Sequence, residues 1–178
     1  MPRFAYYDRL THSRQRTYDK SDAIRGVALP VGVNWATCVM PVREALESSH
    51  RAATQQACQR LADELVRVLN VPPVVVAVLA RRPSNSSGEL HGLYEPEEDG
   101  APAKISVWMR TAQRRQVVAF RTFLRTLIHE ICHHLDYELF ALDETFHTEG
   151  FYQRESSLMR QLAGEAPRNG RRSAAAGD

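Results

Sequence analysis

The chain has 178 residues, of which 43% are apolar, and its formal net charge at pH 7 is +2. This length suits one domain with its own hydrophobic core, and the nearly balanced charge excludes a strong overall attraction to nucleic acid or membranes. The first ten residues lack the apolar segment of a secretory signal, and no run of about 18 apolar residues predicts a membrane span. The three cysteines include no Cys-x-x-Cys pair, which favours reduced thiols in a cytoplasmic protein over disulfides.

Residues 1–40 are interpreted as an N-terminal arm, because residues 1–35 read as irregular and are rich in arginine and tyrosine. The first interpretation is that this arm packs along the surface of the domain. Two alternatives remain open: its aromatic and basic side chains line a substrate cleft, or they contact nucleic acid. Aspartates within the arm dilute its charge and weaken the nucleic-acid signal.

The next segment predicts one helix and three strands. Apolar residues at helical spacing predict a helix from Pro41 to about Leu69, with Pro41 at its first position. Strands are predicted at residues 74–79, 89–94 and 104–109, separated by loops that contain proline, glycine and serine. The last of these strands leads into the next helix, and we expect an extended substrate to pair with it through main-chain hydrogen bonds.

The C-terminal half predicts two helices. A broad apolar stripe favours a long helix at residues 111–140, followed by a connector at 141–146 and a last helix at about 147–162. Residues 164–178 are predicted to be a disordered tail. The expected fold class is therefore α+β, with one domain at residues 41–163 built from an N-terminal helix, a small three-stranded sheet and two C-terminal helices.

Four arginines fall on one side of the predicted helix at residues 111–140. Their spacing of four, seven and four residues is typical of a solvated helix face, and a stripe that faces phosphates is the alternative. These residues are Arg110, Arg114, Arg121 and Arg125.

An HExxH motif at residues 129–133 lies within the same predicted helix. His129 and His133 share one helix face, with Cβ atoms about 5–6 Å apart, so that their imidazoles can bind one zinc ion. Glu130 turns toward the same ion, where it can take a proton from a zinc-bound water. Polar groups on so apolar a helix are costly unless they are paired or bound to metal, which strengthens the prediction of a site.

A catalytic zinc ion takes three protein ligands, and the third must come from outside this helix. His147 is the first choice, because it lies fourteen residues after His133, which leaves room for the helix to end and the chain to turn and come back. Glu149 is the alternative metal ligand, although a glutamate in a first turn also favours a helix N-terminus. Asp136, three residues after His133, is predicted to hold a ligand histidine or a loop in place.

The site pattern resembles that of zincin metallopeptidases, in particular the SprT-like and WLM-type minimal metallopeptidases. The elements that carry the resemblance are the HExxH motif at residues 129–133, His147, Gly150 and Phe151. The resemblance covers about residues 72–162, and it implies a helix, a small mixed sheet and an active-site helix, with zinc bound by three histidines. Two features differ from those families: two residues separate the third histidine from the glycine, and no cysteine-rich zinc ribbon follows.

These features predict a zinc-dependent metallopeptidase that hydrolyses peptide bonds with a zinc-bound water activated by Glu130. One alternative is a zinc-dependent amide hydrolase that acts on a non-protein or formylated substrate. Another is a non-catalytic module that binds nucleic acid or protein and has a structural metal site, although such a site needs no base like Glu130. Tyr137 could donate to the developing oxyanion but is interpreted first as a core tyrosine, and Tyr6 or Tyr7 of the arm is the better-placed alternative, so the choice stays open.

Overall fold

The computed structural model describes residues 4–86 and 88–163. Within them the chain is α+β, as predicted, with five α-helices, a three-stranded mixed sheet and a two-stranded hairpin. The helices are α1 (His12–Ala23), α2 (Ala36–Glu47), α3 (Arg51–Leu69), α4 (Phe120–Glu138) and α5 (Glu149–Leu162). The strands are β1 (Val75–Arg81), β2 (Ser84–Asn85), β3 (Gly88–Glu89), β4 (Gly92–Glu95) and β5 (Lys104–Arg110). The predicted tail at residues 164–178 lies outside the described residues.

The three-stranded sheet has the order β1-β5-β4, with β5 parallel to β1 and antiparallel to β4. The five middle residues of β5 are all buried, as expected of a central strand whose faces are both covered. The prediction that a substrate pairs with the strand at 104–109 is therefore wrong, because both edges of that strand are already paired. The edge strand that packs against α4 is β4.

Side chains of α3 cover the outer edge of β1. Gln59 accepts a hydrogen bond from the N–H of Val76 at 2.7 Å and donates one to the carbonyl of Val74 at 2.9 Å. Gln55 accepts a third, from the N–H of Val78 at 3.2 Å. An additional strand would have to break these bonds to pair with β1. Within the described part of the chain, β4 pairs with β5 alone.

The predicted single helix from Pro41 to Leu69 is two helices, α2 and α3. The chain turns at Ser49, whose φ is 61°, and the His50 side chain then accepts a hydrogen bond from the N–H of Ala53 at 3.1 Å, which caps α3. Pro41 lies inside α2 rather than at a helix N-terminus. The apolar spacing continues across the turn, so periodicity alone does not reveal the break.

The N-terminal arm, which was predicted to be irregular, contains helix α1. Three of its residues are buried, Thr17, Tyr18 and Ser21. The helix as a whole has almost no amphipathic pattern. Tyr18 packs against Tyr7 and Phe146 in an aromatic cluster separate from the main core. The helix is therefore held by its contacts with α5 and with the loop before α5, and not by an apolar stripe of its own.

Helix α4 begins at Phe120 and not at residue 111 as predicted. Residues 111–119 form a loop whose ends meet at an isolated bridge between Arg110 and Val117. The expected row of arginines on one helix face therefore does not form, since Arg110 ends β5 and Arg114 lies in this loop. Arg125, which does lie on α4, forms an ion pair with Glu155 of α5.

The main core lies between the sheet and helices α2 to α5. Val107 of β5, Leu127 of α4 and Phe151 of α5 are fully buried in it. Cys58 and Cys132 are buried in the same core, and Cys38 is partly buried; all three are free thiols. Of the helices in the described ranges, none is long and apolar enough to cross a membrane.

Candidate metal centre

Three histidine side chains meet beside α4. His129 and His133 lie one turn apart on α4, and His147 lies in the loop between α4 and α5. The Nε2 atom of His147 is 3.0 Å from Nε2 of His129 and 3.1 Å from Nε2 of His133. The candidate ligand atoms of all three lie within 4.8 Å of one another, close enough to hold one metal ion.

Hydrogen bonds at Nδ1 orient two of these imidazoles. His129 Nδ1 is 2.9 Å from Oε2 of Glu155, and His133 Nδ1 is 2.7 Å from the hydroxyl of Thr145. That hydroxyl donates its proton to Asp136 at 2.8 Å, so it accepts from His133. An ionised carboxylate also only accepts, so the Nδ1 atom of each ring donates in these contacts, and Nε2 is the nitrogen that faces the other histidines.

The donor set fits a zinc ion. Tetrahedral zinc lies about 2.0–2.1 Å from each imidazole nitrogen, which places the nitrogens roughly 3.3 Å apart. The observed Nε2 separations of 3.0 and 3.1 Å are close to that value. Three histidines are also a known ligand set for catalytic zinc, with the fourth position left open. Imidazole suits copper, iron and nickel as well, so the cluster defines a metal-binding geometry and not a particular metal.

The environment of the cluster keeps His133 and His147 neutral. Burial, followed by the charges of His129, His147 and Arg154, lowers the pKa of His133 to about 3. Desolvation, followed by the charge of His129, also lowers the pKa of His147. Both imidazole rings are therefore neutral at neutral pH, which is the state that binds metal.

Glu130 lies on α4 opposite Gly92 of β4. Its side chain is only 6% exposed, and burial raises its pKa to about 7 against a smaller lowering by His129. A Cβ atom at residue 92 would lie 2.2 Å from Oε1 of Glu130, so glycine is needed there to leave room for the carboxylate. A pKa near neutrality suits a group that both accepts and releases a proton.

A cleft follows β4 on both sides of Glu130. Gly92, His129 and Glu130 border the cavities on both sides, so the cleft passes directly over the histidine cluster. One cavity, of about 480 Å³, extends toward the start of α4 and is lined also by Leu90, Thr122, Arg125, Thr126 and Glu155. The other, of about 280 Å³, extends toward the end of α4 and is lined also by Leu93, Tyr94, His133, Tyr137, Thr145 and His147.

Asp136 is fully buried and lies where the sequence places it, one turn beyond His133. It does not touch a histidine directly. One carboxylate oxygen accepts from Thr145, which contacts His133, and the other pairs with Arg154 at 2.8 Å. Asp136 therefore reaches the ligand through the loop that carries Thr145.

Glu149, the alternative ligand, stands apart from the cluster. Its Oε1 accepts a hydrogen bond from Gln153 at 2.9 Å, one turn further along α5. Among the described residues, the group with metal-ligand spacing consists of His129, His133 and His147. The geometry thus favours His147 as the third ligand.

Three residues of this site were not identified from the sequence: Thr145, Arg154 and Glu155. Glu155 and Arg154 lie on the buried face of α5 beside Phe151 and Leu158. Two charged residues on an otherwise apolar helix face are visible in the sequence, and they indicate partners elsewhere in the fold, because such groups are costly to bury without them. Thr145 carries no comparable signal, since it lies in an irregular loop.

The tyrosines considered as oxyanion donors differ in position. Tyr7 is buried, and its hydroxyl donates to Asp19 at 2.8 Å, away from the cleft. Tyr137 lines the smaller cavity beside His133 and stacks on Tyr94, with ring centroids 5.9 Å apart. Burial raises the pKa of Tyr137, so its hydroxyl stays protonated and able to donate.

No protein-family model matches the chain, and comparisons with curated proteins and with solved structures give no match either. The resemblance to zincin metallopeptidases therefore stays a prediction from the motif.

Proposed function

We propose that the chain is a zinc-dependent metallopeptidase with a zincin-like fold, which hydrolyses peptide bonds. The observation that carries the proposal is that the histidine cluster and the Glu130 carboxyl group border the same cleft. Three imidazole Nε2 atoms lie together, and Glu130, with a pKa near 7, borders the same cleft. A purely structural metal site needs no buried carboxylate of this kind beside it.

A bound zinc ion would lower the pKa of a coordinated water to about 7 and polarise the carbonyl of the scissile bond. Glu130 takes one proton from the attacking water as its oxygen bonds to the carbonyl carbon. Glu130 then passes that proton to the nitrogen of the leaving amine as the carbon–nitrogen bond breaks. Its burial supports this role, because a carboxylate with an ordinary pKa returns a proton less readily. Tyr137, which lines the cavity beside His133, is the donor that we propose for the oxyanion.

The substrate that fits this cleft is an extended peptide. The free edge of β4 offers main-chain N–H and C=O groups, and pairing of this kind gives affinity with little demand on sequence. The outer edge of β1 is covered by Gln55 and Gln59, so the accessible edge of the sheet, in the part of the chain that the structure describes, is that of β4 beside Glu130. The cavities on the two sides of Glu130 then receive side chains on the two sides of the scissile bond.

Two other proposals have less support. A formylated-substrate hydrolase that uses a cysteine ligand is not favoured, since Cys38 and Cys58 do not belong to the metal-ligand group of the described residues. A phosphate-binding helix face is not favoured, since the expected row of arginines does not form. Free thiols at all three cysteines fit a reducing compartment, and we propose the cytoplasm.

The test compares the wild type with Glu130→Gln. Both proteins are loaded with zinc, their metal content is measured, and cleavage of an unfolded protein substrate is followed by mass spectrometry. We expect both to bind zinc and only the wild type to cleave, because glutamine cannot accept the water proton. A variant that cleaves as fast as the wild type would refute the proposed role of Glu130. A wild type that binds no zinc would refute the metal centre.

A further inference from the structure

Helix α1 lies along the loop that carries His147. The ammonium of Lys20 donates to the carbonyl of Ala141 at 3.3 Å, and the hydroxyl of Thr17 donates to Asp143 at 3.4 Å. Arg14 and Glu144 add an ion pair at the surface. Contacts as exposed as this ion pair contribute little by themselves, so the significant part of this interface lies deeper.

The end of α1 meets the start of α5 at close range. The carboxylate of Asp22 accepts a hydrogen bond from the N–H of Gly150 at 2.9 Å, and the hydroxyls of Ser21 and Thr148 are 3.4 Å apart. A Cβ atom at residue 150 would lie 2.4 Å from the carbonyl oxygen of Asp22. This approach therefore requires glycine, and it brings the backbone of α1 next to the buried face of α5.

Arg154 connects α1 with α4 through that buried face. Its side chain is almost completely buried. One terminal guanidinium nitrogen donates to the carbonyl of Ser21 at 2.6 Å and to the carbonyl of Ile24. The other donates to the Ser21 hydroxyl at 3.0 Å and to the Asp136 carboxylate at 2.8 Å. One side chain thus holds the end of α1 and the Asp136 carboxylate at the same time.

The connection continues from Asp136 to a metal ligand. The second oxygen of Asp136 accepts from the Thr145 hydroxyl at 2.8 Å, and that hydroxyl is 2.7 Å from Nδ1 of His133. Every step of this connection is a hydrogen bond or an ion pair between side chains or between a side chain and the backbone. A continuous series of hydrogen bonds therefore links Ser21 to His133.

We propose that Arg154 is a positioning residue through which α1 orients the metal ligand His133. This inference rests on the proposed metal site. Groups that hydrogen-bond the second nitrogen of a ligand histidine fix its tautomer and ring orientation. Arg154 acts one step further out, since it fixes the Asp136 carboxylate that fixes Thr145.

Stability alone does not account for this arrangement. Asp136 and Arg154 are both buried to within 1% of complete burial, and each loses its hydration on folding. Replacing such a pair by apolar side chains of similar volume is often neutral or stabilising. The pair is therefore better explained by the geometry that it imposes on Thr145 and His133.

The first measurement uses the metal-free protein. Nitrogen-15 NMR reports which ring nitrogen of His133 carries the proton. We expect the Nδ1–H tautomer in the wild type, and a mixture of tautomers in Arg154→Met and in Thr145→Val. Arg16→Ala changes an exposed arginine of α1 and serves as the control, with the wild-type tautomer expected.

The second measurement is the zinc dissociation constant, obtained by competition with a chromophoric chelator. We expect Arg154→Met and Thr145→Val each to weaken zinc binding about 10- to 100-fold. Because both act through one connection, the double variant should lose no more than the weaker-binding single variant. Arg154→Lys keeps a cation beside Asp136 but cannot reach both carbonyls at the end of α1, so its loss should be smaller than that of Arg154→Met.

The outcomes separate this inference from the proposed function. A folded Arg154→Met that keeps the wild-type tautomer would overturn the role of Arg154, and so would independent, multiplying losses in the double variant. If Arg154→Met does not fold, Arg154→Lys and Thr145→Val give the same comparison. A wild type that binds no zinc would refute the proposed function, while the tautomer comparison would still test Arg154.

Discussion

One carboxylate oxygen of Glu155 lies 2.9 Å from Nδ1 of His129, and the other lies 2.5 Å from a guanidinium nitrogen of Arg125. Burial alone would raise the pKa of Glu155, but the hydrogen bonds and charges of His129 and Arg125 bring it below its usual value. An ionised Glu155 accepts the Nδ1 proton and leaves Nε2 of His129 free to bind metal. A residue of α5 therefore orients a candidate ligand on α4.

The first prediction follows from this contact. Glu155→Ala should weaken zinc binding about 10- to 100-fold, because His129 loses the partner that fixes its tautomer and ring orientation. Glu149→Ala is the matched control, since Glu149 is on the same helix but outside the histidine cluster. Chelator competition measures both variants, and equal affinity in the two would contradict the role assigned to Glu155.

The second prediction concerns the space above Glu130. Gly92→Ala would place a Cβ atom 2.2 Å from Oε1 and 2.8 Å from Cδ of Glu130, so either the carboxylate or β4 must move. We expect peptide cleavage to be lost while zinc stays bound, with a loss of about 1–3 kcal/mol in the free energy of unfolding from overpacking. Gly26→Ala, whose new Cβ meets Ser157 at 3.4 Å, is the control. Normal cleavage by Gly92→Ala would show that Glu130 does not need this position.

The third prediction is a pH dependence of the metal-free protein. Glu130 has a folded pKa of about 7 and an ordinary value of 4.5, so between these pH values the folded state holds a proton that the unfolded state has released. The free energy of unfolding therefore falls as pH rises through this window, by about 1.4 kcal/mol per pH unit for one group. The lowered pKa of His133 acts in the opposite direction from about pH 3 to 6.5, because there the unfolded state binds the extra proton.

Glu130→Gln separates these two effects. His133 is common to both proteins, so its contribution cancels in the difference between their stabilities. We expect the variant to gain about 3 kcal/mol relative to the wild type as pH rises from 4.5 to 7. Urea unfolding in the presence of a chelator measures this difference. A difference that does not change with pH would contradict the raised pKa of Glu130.

The fourth prediction concerns the free sheet edge. When an extended peptide substrate binds to zinc-loaded Glu130→Gln, amide hydrogen exchange should slow in β4, because its outer edge gains hydrogen bonds. Exchange in β1 should not change, since Gln55 and Gln59 already bond its outer edge. Protection of β1 instead of β4 would place the substrate on the wrong side of the sheet for Glu130.

The local parts of the site could be predicted from the sequence. The spacing of His129 and His133 on a helix is a property of four consecutive peptide units, so the motif alone defines it. His147 could be proposed because it follows at a distance that lets the chain return. Strands β1 and β5 can be predicted as well, at residues 74–79 and 104–109, since their apolar and β-branched character is local.

The remaining parts depend on contacts between distant segments. Helix α1 shows almost no amphipathic pattern, because what holds it is the approach of its backbone to Gly150 and Arg154. The strand at 104–109 is central and not an edge, which its sequence does not reveal, because strand order follows from pairing and not from chain order. Glu155 reaches His129 only when α5 packs against α4, so the sequence alone does not predict this contact.

The central claim is that three histidines bind zinc, and metal analysis tests it most directly. The wild type, His147→Ala and Glu149→Ala are purified in parallel, dialysed against zinc and then against metal-free buffer, and their zinc content is measured. We predict one zinc ion per chain in the wild type and in Glu149→Ala, and loss of zinc in His147→Ala. Zinc retained in His147→Ala, or lost only in Glu149→Ala, would contradict the three-histidine centre.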